Sequence, residues 1–126
     1  MIYKKLNDIP EFLAGDHTHL KEVLHPSNDQ LTINFSLAHA HLKVGENSLP
    51  HRLSHSETYY ILEGWGEIYL DEEMQAIEKG DIIYVPENVE QYVKNLGEVV
   101  LTFLCIVSPP WSPETEIIKN KKSSNT

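Results

Sequence analysis

The strongest constraint on this chain is a rhythm of short apolar and β-branched runs that starts near residue 31 and continues to residue 107. LTINFSLAHAHLKV opens the series, and TYYIL, EIYL, MQAIE, DIIYV, QYVK and VVLTFLCIV follow. Turn signals divide them: Gly64-Trp65-Gly66, Asp71-Glu72-Glu73, Lys79-Gly80-Asp81, Pro86-Glu87-Asn88 and Asn95-Leu96-Gly97. Runs this short and evenly spaced, with no helical stretch between them, predict an all-β sandwich or closed barrel. Closure also removes the unpaired edges that so many strands would otherwise expose.

The flanks read differently. Residues 7–14 predict a short helical turn, with Asp8 as cap and Pro10 in the first turn, where its missing N–H does no harm. The stretch from Asp16 to Pro26 reads as a strand, because Thr18, Leu20, Glu22 and Leu24 alternate. After the last run, Pro109, Pro110 and Pro113 stop the pattern, and residues 119–126 are polar and expected to be disordered. The chain therefore divides into an N-terminal arm (1–30), a barrel (31–108) and a proline-containing C-terminal segment (109–126).

At 126 residues the chain has the size of one domain. A net charge of −9, with Arg52 as the sole arginine, argues against nucleic acid and anionic membrane surfaces as partners. No apolar run reaches the roughly 20 residues of a membrane span, and MIYKKLNDIPEF lacks the apolar core of a secretory signal. The lone Cys105, inside LTFLCIV, reads as a small buried hydrophobe and suits a cytoplasmic location. A small-molecule ligand is the expected partner.

The informative residues lie in two stretches. In the first, Gly45 is followed after five residues by His51, then by Glu57, and after six more by Gly64. In the second, Gly80 is followed after five residues by Pro86, then by Asn88, Gln91 and Asn95. Period two lets His51 and position 53 share a face, and it sends Tyr59 inward if Glu57 points inward. Glycines permit the tight turns of a small barrel, and Asn88 is the next most tolerant residue for left-handed geometry.

These spacings resemble the two motifs of the cupin superfamily, and the resemblance extends over residues 31–107. It implies a single-domain cupin (double-stranded β-helix, or jelly-roll) barrel, similar to the short cupins likened to the barrel of mannose-6-phosphate isomerase. It also implies a metal held by two histidines in H-x-H, a glutamate, and a histidine in the second motif. Here the second histidine position is Leu53 and the second-motif position is Gln91, so His51 and Glu57 remain as the strong ligands. Gln91 could serve as a weak ligand or hydrogen-bonding neighbour, and His39 or His55 could complete a mixed N/O set for Zn²⁺, Fe²⁺, Mn²⁺ or Ni²⁺. Tyr59, His41 and Arg52 are candidates for the substrate pocket. The blander reading of His39, His41 and His55 is as rim or hydrogen-bonded core residues, while His17, His19 and His25 read as surface or packing residues.

Three function classes follow. The first is a metal-binding cupin acting on a small molecule as an isomerase, dioxygenase or lyase. The second is a metal-free module for a sugar or small polar ligand, favoured by Leu53 and by the amide of Gln91. The third is a barrel whose role is association. The family resemblance and the edge of the long first strand lead us to expect a homodimer.

Overall fold

The computed structural model describes residues 1–119. Eleven strands are present among them, arranged in two antiparallel sheets. They are β1 (Phe12–Leu13), β2 (His19–Leu24), β3 (Ser36–Leu42), β4 (His51–Leu53), β5 (Ser56–Glu63) and β6 (Trp65–Leu70). The series continues with β7 (Glu73–Glu78), β8 (Ile82–Val85), β9 (Gln91–Asn95), β10 (Leu101–Ser108) and β11 (Glu116–Ile118). One sheet runs β1-β2-β3-β10-β5-β8 and the other β11-β4-β9-β6-β7, an all-β barrel as the strand rhythm predicts and of the jelly-roll form that the motif resemblance implies.

Alternation decides what fills the barrel. On β10, Leu101, Phe103, Cys105 and Val107 are buried while Thr102, Leu104 and Ile106 are only partly so. On β5 the buried set is Glu57, Tyr59 and Ile61, and Tyr60 is exposed. Leu42, Ile61, Ile68, Val85, Val93, Leu101 and Phe103 form the packed interior. Each contributes about 1.5–3 kcal/mol relative to exposure.

The turns hold this arrangement by local chemistry. Gly64 takes φ +85°, and an added Cβ would stand 2.7 Å from the Val100 carbonyl oxygen, so no other residue fits there. Asn88 takes φ +65°, as its tolerance of left-handed geometry suggests. Asn95 ties a loop to the barrel: its amide donates to the carbonyls of Leu42 and Val99, and its oxygen accepts from Gly97 N–H.

The arm and the C-terminal segment depart from the sequence expectations. The helical turn lies at Leu6–Asp8, not beyond Pro10, and Phe12–Leu13 instead pairs with His19–Leu20 as a strand. A second turn, α1 (Pro26–Asp29), forms where the turn-rich SND stands, capped by the His25 ring, which accepts from Ser27 N–H. Beyond the prolines, β11 pairs with β4 and extends its sheet, a strand too short for periodicity to reveal. Trp65 belongs to the start of β6 and not to a turn, lying half exposed over Gly97. Residues 120–126, most of the stretch expected to be disordered, lie outside the described residues.

Candidate functional site

Inward alternation on β4 and β5 brings His51, Glu57 and Tyr59 to one cavity of about 120 Å³. Its apolar wall includes Phe12, Leu53, Val93, Phe103 and Trp111. Its polar groups include Asp16 from the arm and Glu116 from β11. Among the described residues, no lysine or arginine lines it.

His51 is 3% exposed, and its Nδ1–H donates to the Leu49 carbonyl at 2.8 Å. That bond fixes the ring and leaves Nε2 facing the cavity. Asp16 Oδ2 lies 3.6 Å from Nε2, and one donor atom each from Asp16, His51 and Glu116 falls within 4.8 Å of the others. The acids are held from behind. Asp16 Oδ1 accepts from Thr18 N–H at 3.1 Å and from the Thr18 hydroxyl at 2.8 Å. Glu116 Oε1 accepts from the Trp111 indole N–H at 3.1 Å.

Glu57 stands beside this trio. Cys105 and Glu57 line the same cavity, and the Glu57 Oε1 is buried without a hydrogen-bond partner among the described residues. Burial pushes its pKa up to about 7, opposed by nearby His51. Burial works to lower the pKa of His51, but the Asp16 and Glu57 carboxylates outweigh it and leave the pKa raised. Burial raises the pKa of Glu116 as well. The site is an acidic, poorly hydrated end of an apolar cavity.

The other sequence candidates lie elsewhere. Gln91 is buried opposite His51, but its Oε1 accepts from the Tyr59 hydroxyl and the residue does not line the cavity. His39 and His41 occupy the alternate positions of β3 to the inward Ala38, Ala40 and Leu42, so neither reaches the lumen. His55 turns away and binds the Pro109 carbonyl through Nδ1 at 2.9 Å. Arg52, between two inward residues of β4, is exposed and lies 3.8 Å from Glu90. His25 is not a free surface residue, since its Nε2 reaches the Trp111 carbonyl at 2.7 Å. Asp16 and Glu116 escaped the sequence reading because each lies in a flank outside both motifs. Only the pairing of β11 with β4 and the turn at Asp16 deliver them to His51.

A family model for the cupin domain matches residues 38–107. The chain belongs to the cupin family. Among its relatives is an uncharacterised protein of Methanocaldococcus jannaschii, 38% identical and covering 94% of this cupin and 96% of the relative. Solved structures share the fold at low identity. A cupin 2 conserved barrel domain protein from Salinispora arenicola superposes with TM-score 0.75 at 16% identity, covering 90% of this cupin and 91% of that chain. A predicted oxalate decarboxylase from Thermotoga maritima gives 0.75 at 18% identity, covering 86% and 99%.

The donors suit a metal only in a rearranged form. The four-ligand set implied by the motifs does not fit, because Leu53 offers no donor and the Gln91 oxygen is engaged by Tyr59. His51, Asp16 and Glu116 do fit, and the Glu57 Oε1 beside them is a buried polar atom without a hydrogen-bond partner.

Proposed function

We propose that this cupin binds one divalent transition-metal ion at His51, Asp16 and Glu116 and acts on a small, mainly apolar molecule in the adjoining cavity. The observation that carries the reading is the buried, partnerless Oε1 of Glu57 beside three converging donor groups. Removing acceptors from water is costly unless a cation or donor meets them. A set richer in carboxylate than in imidazole favours Mn²⁺ or Fe²⁺ among the metals considered. When bound, such an ion supplies Lewis-acid polarisation of a substrate oxygen.

The protein's own residues perform the rest. Leu49, Thr18 and Trp111 orient the donors. Glu57, with a pKa pushed up to about 7, can hold or release a proton near neutrality. That capacity favours proton-transfer chemistry of the isomerase or lyase class. Phe12, Phe103 and Trp111 present an apolar surface to the substrate. A cavity of about 150 Å³ holds benzene, so 120 Å³ here suits a similarly small molecule. With no lysine or arginine among the described lining residues, a phosphosugar would find no such side chain to hold its phosphate.

The second reading, a metal-free module for a polar ligand, drew on the amide of Gln91, whose oxygen Tyr59 engages. A metal-free pocket would instead attract an organic cation such as an amine. The test is metal analysis of tag-free protein, stripped with EDTA and reloaded in turn with Mn²⁺, Fe²⁺, Zn²⁺ or Ni²⁺. One equivalent that disappears in His51→Ala and in Asp16→Ala supports the proposal. A cavity that takes none of these ions, while an alkylamine raises the melting temperature of the stripped protein, overturns it.

A further inference from the structure

A second group of ligand-type side chains lies on the other side of β3. Antiparallel pairing of β2 with β3 sets His19 directly opposite His41. Their rings stack at 4.8 Å between centroids, with 16° between planes. Glu11, just before β1, reaches both. Its Oε2 lies 4.0 Å from His19 Nδ1 and its Oε1 lies 3.9 Å from His41 Nδ1.

These gaps are too long for hydrogen bonds. They exceed by about half an ångström the spacing of two donors that each sit about 2.0–2.2 Å from a shared tetrahedral ion, a difference that a small shift of the exposed Glu11 side chain closes. The ring of His19 is also set for such a role. Its Nε2 lies 3.0 Å from Glu46 Oε1, and a carboxylate can only accept, so Nε2 carries the proton. Glu46 is itself fixed by Lys43 N–H at 2.7 Å. This carboxylate–histidine pairing turns the other nitrogen, Nδ1, toward Glu11 as a lone pair.

We propose that Glu11, His19 and His41 form a second divalent-metal site, of the zinc type, which clips the N-terminal arm to the outside of the barrel. Two donors, Glu11 and His19, come from the arm and one, His41, comes from β3 of the barrel, so an ion there ties the arm to the barrel. The arm residues that follow Glu11 include Phe12, Ala14, Gly15 and Asp16, all of which line the cavity. The clip therefore steadies one wall of the cavity without touching its interior. It stands independently of any metal at His51, because the two groups share no residue.

The test is Zn²⁺ titration of tag-free, EDTA-stripped protein by calorimetry, in wild type and in His51→Ala. The proposal expects one equivalent in His51→Ala. Glu11→Gln or His41→Ala added to that background should weaken it by about tenfold or more, and His39→Ala should leave it unchanged. Glu11 is exposed, so Glu11→Gln folds normally and keeps the test decisive if a histidine variant fails. As a second readout on wild type, Zn²⁺ should shift the imidazole NMR signals of both His19 and His41. It should also slow proteolysis within residues 1–15 of wild type, but not of Glu11→Gln. Zn²⁺ binding that is equal in Glu11→Gln and its parent, or unmoved His19 and His41 signals at saturation, would overturn the proposal.

Discussion

His51 Nε2 and Asp16 Oδ2 face each other at 3.6 Å, and each is oriented by a different neighbour. Leu49 fixes the imidazole through Nδ1, and Thr18 fixes the carboxylate through its other oxygen. The gap exceeds a good hydrogen bond, and it is between these two groups that the proposed ion would sit.

Asp16→Asn and Glu116→Gln should each weaken Mn²⁺ binding by about tenfold to a hundredfold while leaving the fold intact. Both residues lie outside the motif match to residues 38–107. Equilibrium dialysis with metal analysis, alongside circular dichroism, checks this. Unchanged affinity in both variants would remove the two acids from the site.

The metal-free protein should lose stability as pH rises from the mid-acid range through neutrality. The folded Glu57 pKa of about 7 lies above its ordinary value of 4.5, so the folded state binds more protons across that interval. The contribution is fully present below pH 4.5 and is lost as pH passes through 7. The raised pKa of His51 acts in the same direction. A rise from 4.5 to about 7 in the Glu57 pKa corresponds to about 3 kcal/mol. Urea midpoints of EDTA-treated protein between pH 4 and 8 measure it, and Glu57→Gln should flatten the slope. A wild-type profile that rises with pH would contradict the assignment.

Tyr59→Phe should cost about 1–3 kcal/mol, because it strands the fully buried Gln91 oxygen without its donor. Paired loss of both partners in Tyr59→Phe/Gln91→Leu should cost less than the sum of the single changes. Chemical denaturation of the four proteins gives the coupling.

Two glycines should differ in their tolerance of alanine. At Gly66 an added Cβ would stand 2.0 Å from the Lys94 carbonyl oxygen, so Gly66→Ala must part β6 from β9, at about 3 kcal/mol or more. At Gly45 nothing lies within 4 Å and the cost is only that of φ +84°. Gly45→Ala should lose about 1–2 kcal/mol. Thermal unfolding of the two variants ranks them.

The sequence by itself determined the barrel and its inward residues. Period two on LTFLCIV and on ETYYIL sends Phe103, Tyr59 and Glu57 to one side, and the fixed intervals from Gly45 to Gly64 and from Gly80 to Asn95 place the turns between strands. These are local properties, legible because the pleat repeats and the turns need particular residues. His51 and Glu57 were visible as cavity residues through the resemblance of their spacing to the cupin motif. The company they keep was not. Asp16 and Glu116 lie far from His51 in the chain, and the same alternation that could have placed His39 and His41 in the lumen puts them outside once Ala40 and Leu42 face in. Which flank meets which strand depends on long-range backbone pairing, β11 with β4 and β1 with β2, and so the acidic character of the pocket was decided only by the tertiary structure.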